Sequence, residues 1–163
     1  MHFILSKGFL LNFFKLLLAI LFSVGLMAEK VEITSDSMKA ENTKKEVHFI
    51  DNVKIKKLKN WLHGDRVIVY FDENNETKMY EALGSVTFEF KDDVNHYQGS
   101  ADKVTHYPMK SQYILSGKAI IDDLINKRHV NGDEIILDML TGNASVQGNQ
   151  KIPVKFIFDM GDK

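Results

Sequence analysis

The sequence predicts an all-β fold made of stacked antiparallel hairpins, and three observations carry that expectation. Apolar side chains fall on every second residue through most of the chain after residue 28, a short motif punctuates them about every thirty residues, and no heptad or helical stripe occurs beyond that point. The central unit, Trp61 to Phe90, shows the pattern most fully. Val67, Val69 and Phe71 alternate on one run, and Tyr80, Ala82, Val86, Phe88 and Phe90 on the returning run, with the turn-formers Asp72, Glu73, Asn74 and Asn75 between them. Gly64-Asp65 and Gly84-Ser85 read as a bulge or turn in each half.

The punctuation recurs on both sides. An aspartate followed two residues later by an apolar residue stands at Asp36/Met38, Asp65/Val67, Asp102/Val104 and Asp133/Ile135. Downstream come Asp51-Asn52, Gly84-Ser85, Gly117-Lys118 and a degraded Gly148-Asn149, and three of these keep one offset (Asp36 to Asp51, Asp102 to Gly117, Asp133 to Gly148). Such self-similarity predicts a stack in which no single hairpin buries its apolar face alone. The four aspartates are expected at equivalent turns, in a column along one edge, each capping a turn with its side chain.

The elements follow in order. In residues 1–28, Lys7 and Lys15 flank an apolar stretch that culminates in Leu16 to Leu26 and turns polar at Glu29, the layout of a secretory signal. Cleavage after Gly25 or after Ala28 fits, and retention as an uncleaved anchor is the alternative. Residues 29–163 then form a single domain. The chain has 163 residues and no cysteine, so burial and not a disulfide framework must stabilise it. Loss of residues 1–28 would make it two charges more negative than its formal −1, which argues against a nucleic-acid partner.

Val31 to Thr34 and Glu46 to Ile50 make a first hairpin across the polar turn Glu41 to Lys45. Val53 to Lys59 places Lys54 and Lys56 opposite Val53 and Ile55; with Lys57 and Lys59 they read either as a cationic ridge for an anionic ligand or as a solvated face that deters edge pairing. Tyr107-Pro108 closes a strand, Tyr113 to Ile121 returns, Ile135, Leu137 and Met139 alternate, and Ala144 and Val146 pair back after a Thr141 to Asn143 turn. Ile152 to Phe158 reads as a last strand with Pro153 at its start, apolar and open to pairing with another molecule. Asn75 lies in an N-x-T sequon, a glycan acceptor in an exported protein or simply a turn residue.

The chain shows no phosphate loop and no nucleophile elbow, and His48, His63, His96, His106 and His129 lack the spacing of a metal site; His48 and His106 read as ordinary strand residues. No enzyme, no cofactor and no metal is expected.

The succession Ile33-Thr34-Ser35-Asp36, Val47 to Ile55, Gly64 to Val69, Gly99 to Val104 and Tyr113 to Ala119 resembles the LptA/OstA family of periplasmic lipopolysaccharide transport proteins. The resemblance implies a twisted antiparallel β-jellyroll, open along one side and at both ends, whose interior holds the acyl chains of lipid A. It implies lipopolysaccharide or lipooligosaccharide as cargo, inner-membrane LptC-like and outer-membrane LptD-like partners, and head-to-tail copies that bridge them. Combined with the alternation, it places Val31, Ile33, Phe49, Ile55, Val69, Val86, Phe88, Phe90, Val104 and Leu115 as the lipid-binding inner face, with Val47, Val67 and Ile121 beside them. Val31 and Phe88 are the strongest candidates for lipid contact. A membrane-anchored LptC-like role and a self-associating β-module without lipid are the alternatives.

Overall fold

The computed structural model describes residues 30–161; the predicted export signal, residues 1–28, lies outside the described residues. Ten strands form one antiparallel sheet: β1 (Val31–Thr34), β2 (Ser37–Glu41), β3 (Glu46–Lys57), β4 (Asn60–Phe71), β5 (Thr77–Lys91), β6 (His96–Tyr107), β7 (Gln112–Asp123), β8 (Arg128–Asp138), β9 (Asn143–Gln147) and β10 (Lys155–Phe158). From β3 to β8 the chain runs up and down, each strand pairing with the next. Two short strands finish each side, β1 and β2 along β3, and β10 and β9 along β8. The sheet does not close.

The turns form where the sequence supplies αL residues and aspartates. Asp72 Oδ1 accepts the amides of Asn74 and Glu76 (2.8 and 2.9 Å), and Asp92 Oδ1 those of Val94 and Asn95 (2.8 and 2.7 Å), so each carboxylate organises its hairpin. Asn75, in the sequon, stands at positive φ and accepts a hydrogen bond from Lys45 Nζ at 2.9 Å. Pro108 begins a single 3-10 turn, Pro108–Lys110, that ends at Ser111 in the αL region.

The repeated aspartates do something else. Instead of capping turns along an edge, Asp65, Asp102 and Asp133 sit at mid-strand and Asp36 in the break between β1 and β2, all level with the places where the ladder slips register: between Ile50 and Val53, His63 and Arg66, Leu83 and Val86, Ser100 and Lys103, and Ser116 and Ala119. Each slip centres on two successive residues at positive φ: Asp51-Asn52, Gly84-Ser85 and Gly117-Lys118. A β-carbon on Gly84 would overlap the Asp65 carboxyl, and one on Gly117 the Asp102 carboxyl; Asn52 Nδ2 reaches Asp36 Oδ2 at 2.8 Å. A line of bulges, each against an aspartate, therefore crosses the sheet at right angles to its strands. In the last copy β9 stops at Gln147, before Gly148, and Asn149 Oδ1 instead caps the loop amides of Lys151 and Ile152. The final strand consequently begins at Lys155, beyond Pro153.

The bulge line also switches which residues face inward. Gly64 and Val67, three apart, share one face, because Gly64 pairs with Val53 and Val67 with Phe49. Val47, Val69, Leu115 and Ile135 come from four strands and are each at most 2% exposed, which a flat single sheet cannot achieve; the sheet curls until its wings cover one another. On the outer face only Ile68 and Thr105 are buried among the described residues.

At one end of the inner face, Tyr80, His106 and Tyr113 pair across β5, β6 and β7 and stack. Their ring centroids lie 5.6 and 4.0 Å apart, with interplanar angles of 14° and 6°. Burial pushes the His106 imidazole from 6.5 down to about 4 and raises both phenols.

Two predictions follow from these contacts. Gly117→Ala forces αL strain and a clash with Asp102, and should destabilise the fold by about 2 kcal/mol or more, roughly 5 °C in melting temperature. Gly142→Ala, also at positive φ but with open space around it, should lose about half of that, and equal losses would mean that the aspartate contact contributes nothing. For His106, a neutral folded imidazole takes up a proton on unfolding, so its contribution is complete above pH 6.5 and is lost as pH falls towards 4. After discounting for partial exposure this is about 1–2 kcal/mol. Thermal melts of His106→Phe across that window should lack this slope; parallel profiles would contradict the assignment.

Candidate functional site

All ten lipid-binding candidates lie on the inner face, but the bulge line divides it into two unlike halves. One half, towards the 72–76 and 108–111 turns, is packed. Phe49 (5%), Val69 (2%), Val104 (8%) and Leu115 (2%) are covered there by one another and by Val47, Val67, Ala82 and Ile135, and the Tyr80–His106–Tyr113 stack closes its end. These residues hold the fold together and present no free surface.

The other half opens towards the hairpin tips at residues 58–59, 92–95 and 124–127. Along β5 the exposure of inward residues rises outward, from Val86 at 0%, through a half-buried Phe88, to Phe90 at 40%. Along β3 it rises from Val53 at 1% to a half-buried Ile55. Val31 and Ile33 on β1 continue this face, Ile33 opposite Ile55 and Val31 opposite Lys57. The candidates brought together in the open half are thus Val31, Ile33, Ile55, Phe88 and Phe90, with Val86 at its floor.

Phe88 lies flat. Its ring covers Gly99, its partner on β6, so closely that a β-carbon there would collide with it. Phe90 stacks on Tyr97, with centroids 6.5 Å apart. Leu62 and Val130 also belong to the open half, opposite Ile55 and Ile121. The signal that finds them is the face switch at the aspartates: the inward set is Leu62 and Gly64 before Asp65, and Val67 and Val69 after it.

The chemistry of this half is that of an apolar trough with a charged mouth. Lys57 lies on its rim, and Lys54 and Lys56 point to the reverse side. Among the described residues the single trio of metal-ligand type within 4.8 Å of one another is Glu41, Glu46 and His48. Lys39 and Lys44 already hold the Glu41 carboxylate, pulling its pKa down to about 2, and His48 Nε2 is 2.8 Å from Glu46. That trio is an ion-paired surface cluster.

Comparison with known proteins agrees with the geometry. A family model described as LptA/(LptD N-terminal domain) LPS transport protein matches residues 32–143. Among solved structures, LptH of Pseudomonas aeruginosa, described as the LptA homologous periplasmic component of the conserved lipopolysaccharide transport device, superposes with a TM-score of 0.68. The match covers 81% of this chain and 96% of that one at 12% identity, a likeness of fold. No curated protein sequence matches. With the family model spanning most of the sheet, the chain belongs to the LptA/(LptD N-terminal domain) family of lipopolysaccharide transport proteins, a transport family and not a class of enzyme.

Proposed function

We propose that the protein is a periplasmic carrier of lipopolysaccharide or lipooligosaccharide that holds the acyl chains of lipid A against the open half of its inner face. The observation that carries this reading is the rise in exposure from Val86 to Phe90 along a face whose other half is close-packed. An acyl chain laid on such a trough gains about 0.8 kcal/mol for each methylene removed from water, so binding needs no special motif, only uncovered apolar area. Acyl chains would enter over Phe90 and Ile55 and run over Phe88 towards the bulge line; the packed half would stop them unless the wings part.

The same reading makes the protein a bridge between an inner-membrane LptC-like and an outer-membrane LptD-like protein, with copies joined head to tail. The outer sides of β1 and β2, and of β9 and β10, pair with no other described strand, and such edges accept a strand from a second chain. Phe156, Ile157 and Phe158 on β10 are each about half exposed and supply apolar area for that joint. The reading keeps residues 1–28 as a cleaved secretory signal; no described helix is long and apolar enough to cross a membrane.

The test is lipid retention. Phe90→Asp, at an already exposed position, should lower the amount of lipopolysaccharide that the protein retains by about tenfold or more, with an unchanged far-ultraviolet circular dichroism spectrum. Met109→Asp, at the closed end and 82% exposed, should leave retention as it is. Equal retention by Phe90→Asp and the unsubstituted protein would contradict the proposal.

A further inference from the structure

On the reverse side of the open half, three strands bring six side chains into a two-by-three array. In register, Glu32, Lys56 and Trp61 form one row across β1, β3 and β4, and Thr34, Lys54 and His63 the next. Together with the flank of Ile55 they line a shallow open cleft of about 300 Å3. Strand spacing makes this array roughly 10 Å wide and about 7 Å long, the footprint of one or two sugar rings.

Three features set this patch apart from an ordinary solvated face. The lysines do not guard a free edge, because Lys54 and Lys56 stand on a strand paired on both sides, with β1 covering the flank that they would protect. Neither lysine has a hydrogen bond or ion pair among the described residues, although Glu32 lies opposite Lys56. And the Trp61 indole is held in place: Nε1 donates to Glu89 Oε2 at 2.7 Å, the other oxygen of Glu89 lies 2.6 Å from His96 Nε2, and the His63 ring sits 4.6 Å away, tilted by 33°. A fixed aromatic plane beside two uncommitted ammonium groups suits a ligand with both an apolar ring face and negative charge.

We propose that this cleft binds the phosphorylated sugar headgroup of the glycolipid whose acyl chains occupy the inner face. A sugar's C–H face would lie on Trp61 and His63, with its phosphate on Lys54 and Lys56. The proposal rests on the carrier reading and adds to it a headgroup site on the opposite face of β1, β3 and β4. The lipid would straddle the four-residue edge strand β1, with its chains over Ile33 and Ile55 and its sugar phosphates over Lys54 and Lys56.

Trp61 is the only tryptophan in the chain, so its fluorescence reports on this cleft alone. The experiment titrates the full chain with a fully deacylated headgroup, a glucosamine disaccharide carrying two phosphates. A saturable change in emission is expected, about tenfold weaker in the Lys54→Ala/Lys56→Ala double variant, for the unphosphorylated disaccharide, and at high salt. Both lysines are exposed, and an unchanged melting temperature of the double variant verifies its fold. A flat titration, a response unaltered in the double variant, or an equal response to inorganic phosphate would overturn the proposal. Retention of intact lipopolysaccharide, measured on the same preparations, separates the two readings. Lipid retained with silent fluorescence removes only the headgroup site, whereas no retention removes the carrier reading as well.

Discussion

The structure depends on the contacts of Asp36, Asp65 and Asp102 with the positive-φ pairs beside them. A strand normally shows alternate faces with a strict period of two, so one extra residue in a ladder turns every later side chain over. Here the slip is built into every pair from β3 to β8, at Asp51-Asn52, Gly84-Ser85 and Gly117-Lys118, and the strands that carry Asp65, Asp102 and Asp133 change phase at the same level. The apolar set therefore stays on one face on both sides of the line. Bulges also bend and twist the strands that hold them, and a row of them across the sheet gives the sheet a line along which to curl.

That curl gives one sheet two unlike halves. On one side of the line the wings meet and bury Val69, Leu115 and Ile135 almost completely; on the other they diverge and leave Ile55, Phe88 and Phe90 partly uncovered. One sheet thus supplies both the packed core that stabilises it and the open trough proposed above to hold lipid. Stability and the proposed binding surface draw on the same inward-facing residues at different depths, so substitutions near the bulge line act on folding and those near the hairpin tips on the ligand.

Much of this was legible in the sequence. Most of the strands, the 72–75 turn, the stop at Pro108 and the shared face of Val67, Val69, Val86, Phe88, Val104 and Leu115 follow from a period of two and from turn chemistry. The expected first hairpin does not hold, because Val31–Thr34 pairs with Lys54–Lys57 and the unforeseen strand Ser37–Glu41 pairs with Glu46–Ile50. The aspartates were legible as a repeat but not as a seam, because a Gly-Asp or Gly-Ser pair looks alike at a turn and at a bulge, and only the ladder shows that pairing continues through it. Counting by twos back from Val67 across Asp65 points Trp61 inward, whereas the face switch points Leu62 inward and Trp61 out. Leu62 and Val130 escaped notice for that reason. The division into packed and open halves had no local signal at all. Val69 and Phe90 fit one alternation equally well, and what separates them is how far the wings diverge at each level.

The most direct test of the central claim is photocrosslinking in cells, with a photoreactive residue placed at Phe90 in the open half, at Tyr113 in the packed half, or at Glu134 on the outer face. Lipopolysaccharide attached at position 90 and absent at 113 and 134 is the predicted result. Adducts of equal yield at all three positions, or none at 90 in a folded protein, would contradict a trough formed where the curled sheet opens.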